Sequence, residues 1–512
     1  MRSPRFLSVT LSVALTGSGL AVVPALPASA AVTFNVDSQA DAADADLSDG
    51  DCRTAAFECT LRAAVMQAGS FAGNDTIVLP AGSYALGSAL DVNPVNSNDT
   101  LTIRGAGMGV TTIDGNNGLT RDAQGGWTIE VGVLSDAHRA ISVNGGQSLT
   151  LEGLTISDAG DFPDVGLGVG GAVAALAGTL TVDSVEFVGN GVDGYGGAIG
   201  AQTPLTITDS TFRGNGATEG GGAVSTTAGG QVTRTIIEDN TAYVGGGIWQ
   251  AGPLLTVIDS SIVGNTAQSA GGAIWSKGNE NPLLRATNTS LVGNSAPVGG
   301  ALHVDDSYGY GQARLEHVTV AHNTAASWSQ LSAASDAAIH LWDSIIDWDV
   351  IAAAGATGVC TNVRLRGGNV VSDGTGCDAV AFSETNNVDG GRILSPWQGT
   401  SAREVGAGHL GQLITPEHAA TTAADSCAGD DARGALRPTT GCSAGAIQAG
   451  HLVTTKVDEL GNGGSLRYAL EIHVDGAPTG GLVAIELTTD ADLNYGSHVN
   501  FGETPADGVI IV

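Results

Sequence analysis

The stretch LTVDSVEFVGN, from Leu180 to Asn190, decides the fold, because the chain repeats its outline. The next copies read LTITDSTFRGN and GQVTRTIIEDN, and every copy ends in an asparagine. Successive asparagines lie 25, 25, 25, 29 and 29 residues apart, at Asn190, Asn215, Asn240, Asn265, Asn294 and Asn323. A fixed period of this length predicts a stack of repeats in which each repeat contacts only its neighbours.

Two apolar positions keep a constant distance from each asparagine. Three residues before it stand Phe187, Phe212, Ile237, Ile262, Leu291 and Val320. Eight residues before it stand Val182, Ile207, Val232, Val257, Ala286 and Leu315. The segments are short, alternating and β-branched, and helical spacing is absent. The pattern predicts an all-β right-handed parallel β-helix, with its hand taken from the crossover rule and rungs ~4.8 Å apart.

Gly-Gly pairs form a second column beside the asparagines. The pairs start at Gly170, Gly196, Gly221, Gly246, Gly271 and Gly299. Most of them lead into an apolar step such as GGAI, which predicts a tight turn followed by a strand. An asparagine buried at a turn would bond its neighbours above and below, so we expect a ladder along the axis.

The first 30 residues predict export. Two arginines precede a mainly apolar run, Phe6–Val23, and Ala28-Ser29-Ala30 has the form of a signal-peptidase site, so we expect cleavage after Ala30. A membrane anchor is the alternative, but the run is short and interrupted by Gly17-Ser18-Gly19. No later segment is apolar enough to span a bilayer, so a secreted mature chain without a membrane span is predicted.

The charge balance limits the partners. The chain has 20 Lys and Arg against 52 Asp and Glu, a net charge of −32. A surface this acidic repels nucleic acid, so none is expected as a partner. Cationic partners, divalent metals and simple solubility remain as interpretations of the charge.

Six cysteines fit an oxidising compartment. Fifteen pairings are conceivable, and the one with the shortest loops joins Cys52 to Cys59, Cys360 to Cys377, and Cys427 to Cys442. A zinc site is the alternative, but no CxxC or clustered histidine accompanies these cysteines, so no metal site is predicted.

The residues Cys59-Thr60-Leu61-Arg62-Ala63-Ala64, followed by LPAGSYAL at Leu79–Leu86, resemble the N-terminal cap of a secreted bacterial β-helix family whose motif is CSLREA. The acid of that motif is Ala63 here, so its role does not carry over. The GGAI and F-x-x-N elements resemble polymorphic outer-membrane-protein-type repeats on a pectin lyase-like scaffold, and Asp431–Gly450 resembles a closing segment. This family is defined by architecture, and the resemblance implies no particular chemistry.

The cap is expected to cover an open end of the β-helix, where strand edges would otherwise be unpaired. A short helix near Leu61–Met66, held by the adjacent disulfide, would do so, and Arg62 would form a salt bridge or bond free carbonyls. A second cap-like segment begins at VTTKVDELGNGGSLRYALE, with strands expected at Leu482–Leu487 and Gly508–Val512. It represents either a truncated or a vestigial second module.

The predicted organisation therefore has five parts. They are a signal peptide at 1–30, an N-terminal cap at 31–88, a parallel β-helix at 89–400, a closing segment at 401–450 and a second cap-like module at 451–512.

A catalytic interpretation rests on the position six residues before each asparagine, which holds Asp209, Arg234 and Asp259 on successive repeats. Stacked at strand spacing, they could act as an arginine base between carboxylates, in a polysaccharide lyase or glycoside hydrolase. A surface ion stack without catalytic function is the alternative.

Calcium is the cofactor to consider, because the loop Asp44–Asp51 reads DADLSDGD. It is not an EF-hand, since Gly50 falls at position seven and Ala55 stands where glutamate is required. No cofactor is predicted, although hard oxygen ligands leave adventitious calcium binding open.

A recognition site is predicted from aromatic residues. Trp249 and Trp275 follow the Gly-Gly step on successive repeats, and His303 takes the same register on the next. If the preceding isoleucines point inward, both indoles point outward and form a flat platform for sugar rings. The polar groups expected beside it are Gln250, Asp305 and Tyr308. A covering loop, or packing between coils, is the structural alternative.

Together these features predict an extracellular surface or matrix protein, non-catalytic, that binds a polysaccharide or cell-surface glycan along one face. The alternatives are a polysaccharide lyase or glycoside hydrolase on the same scaffold, and a structural spacer.

Overall fold

The structure is a computed structural model. It describes residues 31–93, 99–116, 137–161, 168–278, 282–305, 311–325, 330–334, 337–347 and 360–371, several short strands, and single residues near Cys427 and Cys442. The predicted signal peptide with its cleavage site, Cys377 and Tyr308 lie outside the described residues.

The described chain is nearly all β-strand, and its stacked strands pair in parallel. They form a β-solenoid of about 9 turns with about 26 residues per coil. The predicted parallel β-helix is therefore confirmed, and its right hand stays a prediction from the crossover rule.

Sheet 1 contains 22 strands among the described residues and takes two strand segments from most coils. Its strands are Thr33–Asn35, Asp75–Val78, Gly82–Ala85, Thr100–Arg104, Thr111–Asp114, Ser148–Ser157, Leu180–Val188, Leu205–Thr208, Thr211–Arg213, Gly230–Thr233, Ile236–Glu238, Leu255–Ile258, Ser261–Val263, Leu284–Thr287, Ser290–Val292, Gln312–Glu316, Thr319–Ala321, Ala338–Trp342, Ile345–Asp347, Val363–Gly367, Val370–Val371 and Val388–Asp389.

Sheets 2 and 3 close the coil. Sheet 2 comprises Leu90–Val92, Ile141–Val143, Val173–Ala175, Ile199–Ala201, Val224–Thr226, Ile248–Ala251, Ile274–Lys277, Leu302–Asp305, Leu331–Ala333 and Cys360–Thr361. Sheet 3 comprises Gly160–Asp161, Gly191–Val192, Gly216–Ala217, Thr241–Val244, Thr266–Ala270, Ser295–Ala296 and Thr324–Ala325.

Smaller pairings complete the described strands. Gly168–Val169 pairs in parallel with Gly194–Tyr195. Antiparallel pairs join Leu119–Arg121 to Trp127–Ile129 and Arg403–Glu404 to Leu410–Gly411. His451–Val453, Val483–Leu487 and Val509–Ile511 form a parallel sheet, so both strands expected in the second cap-like segment are present.

Two left-handed bends give each coil its corners. The first separates the two segments of sheet 1, and the second lies directly before the ladder asparagine. The first bend is occupied by Ser184, Asp209, Arg234, Asp259, Asn288, His317 and Asp343, all with φ between 47° and 56°. Asp and Asn tolerate this conformation better than other non-glycine residues, which explains why they recur there.

The interior is a stack of like residues. Phe187 and Phe212 pair in register, and their ring centroids lie 4.7 Å apart with planes inclined by 8°. Both apolar columns identified from the sequence are fully buried. Each large side chain buried in this way contributes about 1.5–3 kcal/mol of hydrophobic free energy, so the columns supply most of the driving force for stacking.

The predicted asparagine ladder is confirmed. Asn215 Nδ2 donates to Asn240 Oδ1 at 3.0 Å and to the carbonyl of Phe187 at 3.0 Å, and Asn190 and Asn265 are held similarly. At the far end, Asn323 donates to Gln330 Oε1. Because these buried side-chain amides both donate and accept hydrogen bonds, they are not left as unpaired polar groups in the core.

The Gly-Gly turns differ from the predicted register at one coil. The first glycine of each turn has positive φ, and on the fourth coil this residue is Gly245 (φ 61°), not Gly246. The run Gly245–Gly247 offered two choices. The structure places the turn three residues before Ile248, as Gly221 stands three residues before Val224.

The N-terminal cap contains the helix Leu61–Ser70, longer than the predicted helix near Leu61–Met66. Thr60 caps it by accepting from the Ala63 amide at 3.1 Å. Arg62 forms a bidentate pair with Asp41, at 2.7 and 2.9 Å, and donates to the carbonyls of Ser88 and Ala89. Both expected roles of Arg62 are thus present.

The strands of the predicted cap also extend the solenoid. Thr33–Asn35 pairs with Asp75–Val78, which pairs with Thr100–Arg104 in sheet 1. Sheet 1 therefore begins inside the predicted cap segment, and the boundary at residue 88 stays a prediction.

The disulfides Cys52–Cys59 and Cys427–Cys442 are present as predicted. Cys360 is also disulfide-bonded. Its predicted partner, Cys377, lies outside the described residues, so this third pairing stays a prediction.

Candidate functional site

An aromatic row consists of Trp249 and Trp275 on the outer side of sheet 2, together with Tyr195 of the separate strand Gly194–Tyr195. The Tyr195 and Trp249 ring centroids lie 4.8 Å apart with planes inclined by 48°. Those of Trp249 and Trp275 lie 5.8 Å apart, with planes inclined by only 4°. The strands that carry the two tryptophans pair in register, which places one indole directly after the other along the axis.

Strand alternation orients the two tryptophans. Ile248 and Ile274 are fully buried, whereas Trp249 and Trp275 are only partly buried, as the sequence predicts for outward residues. Trp249 lies against Gly220 of the preceding coil, where an added Cβ would come within 2.7 Å of the indole Cδ1. A glycine at position 220 thus makes room for the row.

The two indoles of the predicted flat platform are stacked on each other. Because Trp249 and Trp275 lie nearly parallel and in stacking contact, the facing sides of their rings cover each other. A ligand would meet the outer edges and the remaining exposed surface of the indoles.

Two polar side chains stand beside one end of the row, two residues further along the strands of Trp275 and His303. Lys277 and Asp305 pair in register and form a salt bridge at 3.5 Å. The Lys277 ammonium also lies 5.8 Å from the centroid of Trp275, in cation–π contact. Together they offer donors and acceptors next to an aromatic surface.

Gln250 was expected beside the platform, and that expectation is wrong. It is the residue after Trp249, so strand alternation turns it inward, and it is fully buried. Its Nε2 donates to the carbonyls of Gly252 and Pro253 at 2.8 Å, and its Oε1 accepts from Ser276.

His303 continues the register of the tryptophans, directly after Trp275. Burial lowers its pKa, and the nearby Asp305 carboxylate opposes this effect. The imidazole is therefore favoured in its neutral form at the end of the row. Tyr308, predicted beside it, lies outside the described residues.

The sequence did not single out Tyr195 or Lys277. Tyr195 precedes a Gly-Gly turn instead of following one, so it belongs to a different strand from the tryptophans. Lys277 could have been found from its place two residues after Trp275, on the same outward face of the strand.

The candidate catalytic column is the first left-handed bend. Arg234 Nε and Nη2 donate to the two Asp209 carboxylate oxygens at 2.6 and 2.7 Å, and both side chains are nearly half exposed. The hydrogen bonds that Arg234 donates to Asp209 raise the pKa of Arg234, which is the direction opposite to that required of a general base. Asp259 accepts instead from Asn288 Nδ2 at 3.0 Å.

The acidic loop Asp44–Asp51 uses its carboxylates to bind its own backbone. Asp44 accepts from the amides of Asp46 and Arg53, and Asp46 accepts from Ser48. The side-chain hydrogen bond from Ser48 lowers the pKa of Asp46. In the described part of the chain, no group of three or more His, Cys, Asp or Glu side chains is arranged to hold a metal ion.

Comparison with known proteins finds a similarity in two of the coils. Residues 209–227 and 259–277 match the family model of the Chlamydia polymorphic membrane protein repeat. Each match starts at a bend residue, Asp209 or Asp259, and extends through the ladder asparagine to the sheet 2 strand. The second match includes Trp275. No curated protein matches the chain. Among the described residues, none of the helices has the length and apolar character needed to traverse a bilayer.

Proposed function

We propose that this protein is a surface-exposed, exported β-solenoid that binds glycans through the aromatic row and does not modify them. The observation that carries the proposal is the in-register pair Trp249–Trp275, partly exposed at outward strand positions. Aromatic rings that are partly exposed to water can stack on the C–H faces of sugars. Core packing does not explain the outward position of these two rings.

The two neighbouring polar side chains support the same ligand class. Binding sites combine an apolar surface with a few placed polar groups that fix orientation. Here Lys277 and Asp305 stand beside Trp275 and can bond sugar hydroxyls. Because Trp249, Trp275 and His303 follow one another along the rod axis, an extended saccharide could contact three coils.

Repeats of the polymorphic membrane protein type support an outer-surface location. Disulfides support an oxidising compartment, because they persist mainly in exported proteins. Secretion by the predicted signal peptide, with cleavage after Ala30, is part of the proposal.

The proposal is tested on a glycan array with the purified mature chain, followed by affinity measurements for Trp275→Ala. Loss of the ring contact, about 0.5–1.5 kcal/mol, should weaken binding by roughly two- to twelvefold. Tyr243→Ala is the matched control, because Tyr243 is an aromatic residue, 49% exposed, that lies on sheet 3 and not on sheet 2. Parallel assays for reducing ends and unsaturated products should remain negative.

Three outcomes would count against glycan recognition by the row. They are an array without binding, equal losses in Trp275→Ala and Tyr243→Ala, and product release in the cleavage assays. If Trp275→Ala unfolds the rod, the indole is a core residue. The milder Lys277→Met variant then tests the site, because the partly exposed Lys277 side chain contributes little to the core.

A further inference from the structure

The basic groove is a cavity of about 370 Å³ on the outer face of sheet 1, near the C-terminal end of the continuous stack. Its polar and aromatic lining comprises Arg285, Gln312, Arg314, His340, Trp342 and Arg366. Three arginines in one cavity contrast with a chain of net charge −32 that has only 20 Lys and Arg in all.

Strand register builds this groove from four successive coils. Arg285 pairs with Arg314, Arg314 with His340, and His340 with Arg364, so the four lie in one column. The neighbouring buried residues Leu284, Ala286, Ala313 and Leu315 belong to the core and fix the alternation. Arg366 joins the groove because a β-bulge between Leu341 and Trp342 shifts its register.

Contacts within the groove hold its aromatic side rigid. Arg366 Nε donates to His340 Nδ1 at 2.9 Å. The His340 and Trp342 ring centroids lie 5.9 Å apart, and the Arg314 guanidinium lies 4.4 Å from the Trp342 centroid. The groove is thus a preformed surface of stacked flat groups.

Within the groove, the charges of Arg285 and Arg314 are poorly compensated. Arg62 and Arg234 elsewhere in the chain each form two short hydrogen bonds to one carboxylate. In the groove, Arg314 reaches Glu316 only through Nη2, at 3.3 Å, and its buried Nε has no hydrogen-bond partner within the described residues. Arg285 forms no ion pair with any of the residues that the structure describes.

Stacking these side chains has a cost. Like charges in register on neighbouring strands destabilise a sheet, and Arg285 next to Arg314 is such a pair. An acidic chain could neutralise them with its own carboxylates, as it does at Asp209. Leaving them open is the arrangement expected of a site completed by an external anion.

We propose that the basic groove binds an acidic sugar unit through its carboxylate or sulfate group. Arginine offers a planar fork that matches such oxyanions, and Arg285 and Arg314 present two forks side by side. Trp342 supplies aromatic surface, while Pro282 and Ala313 supply an apolar wall for the ring carbons. A volume of about 370 Å³ is within the range of small-ligand sites.

The overall charge favours a ligand with few anionic groups. The net charge of −32 repels dense polyanions such as nucleic acids at long range. At contact distance, two or three guanidinium groups outweigh this repulsion for one acidic group. The groove therefore selects a saccharide with sparse acidic units.

This site is independent of the aromatic row, because the two lie on different sheets and share no residue. Glycan binding at the row and acidic sugar binding at the groove can each fail without the other. The Trp275→Ala variant should leave acidic sugar binding unchanged.

The test measures the affinity of the mature chain for a uronate-containing, a sulfated and a neutral oligosaccharide of equal length, and for a single-stranded nucleic acid. The variants are Arg285→Gln and Arg285→Gln combined with Arg314→Gln. Arg213→Gln is the matched control, because Arg213 stands on the same sheet but is paired with Glu238. We expect about tenfold or greater loss for the single variant, since hydrogen bonds to charged groups are the strong ones.

If the groove is a specific site for acidic sugars, Arg213→Gln should bind with wild-type affinity. The affinity of the wild type should fall as the salt concentration rises. Arg285 is exposed, so Arg285→Gln should fold, and relief of repulsion should leave its melting temperature equal or higher. Comparison of the uronate-containing oligosaccharide with the sulfated one shows whether the groove prefers a carboxylate or a sulfate group. The proposal is overturned if no acidic oligosaccharide binds, if Arg213→Gln and Arg285→Gln lose equally, or if single-stranded nucleic acid binds more tightly than both saccharides.

Discussion

Asn240 Oδ1 accepts two hydrogen bonds from Asn215, one from the backbone amide at 2.8 Å and one from Nδ2 at 3.0 Å. A single side-chain oxygen thus satisfies both the main chain and the side chain of the coil before it. Every ladder residue from Asn190 to Asn294 makes the same paired donation to the next ladder asparagine.

Asn240→Ala should destabilise the rod by about 1–3 kcal/mol. The substitution leaves the buried Asn215 amide without its acceptor, and an unsatisfied buried donor has a cost of this order. The measurement is the shift of the urea unfolding midpoint. Thr206→Ala, an exposed position on sheet 1, is the control. Equal midpoints for the two variants would show that the ladder contributes nothing to stability.

Arg234→Asn should leave stability within about 0.5 kcal/mol of wild type, although it removes a bidentate ion pair. Exposed pairs of this kind contribute little. Asparagine also accepts the left-handed bend, where Arg234 has φ 47°, more readily than arginine does. Thermal unfolding decides the question. A loss above about 2 kcal/mol would make the pair a structural element. Loss of a wild-type cleavage activity would instead revive the catalytic column.

His303 should make stability depend on pH below the ordinary histidine value of 6.5. Burial lowers its pKa, so between the folded and unfolded values the unfolded chain binds a proton that the folded chain does not. The stability contribution of His303 is therefore complete above 6.5 and declines as the pH falls through the lowered pKa.

The measurement for His303 is the melting temperature of wild type and His303→Gln at pH 8, 6.5 and 5 (approximate test points set by the histidine range). The 52 carboxyl groups also titrate on acidification, so only the difference between the two proteins is informative. This difference should move in favour of His303→Gln at low pH. Parallel curves would mean that burial of His303 does not control its protonation.

The fold could be predicted because a solenoid repeats one set of contacts in successive coils. A single Asn or Phe187 would carry little information, but a column repeated at constant spacing excludes other architectures. The same repetition explains the error at Gly246. Three consecutive glycines gave no local signal, and only the pairing of Ile248 with Val224 fixes the turn at Gly245.

The site residues were harder to predict, because the column of Asp209, Arg234 and Asp259 has a backbone cause. The left-handed bend selects Asp and Asn whatever their chemistry, so a charge pattern there resembles a site. The basic groove could not be predicted from the sequence, for the opposite reason. Its residues belong to coils of unequal length, and Arg366 enters through a bulge, so no constant spacing relates them.

The ladder gives the rod a unit of length. Because each asparagine bonds the next one in the same way, removing residues 241–265 would bring Asn240 to the acceptor that Asn265 now uses, Asn294. Coils can thus be gained or lost in whole numbers without new chemistry, while the ends require dedicated groups such as Gln330. Extension by duplication is therefore compatible with the interior, and the reach of such a protein from a cell surface becomes a variable that selection can adjust one coil at a time.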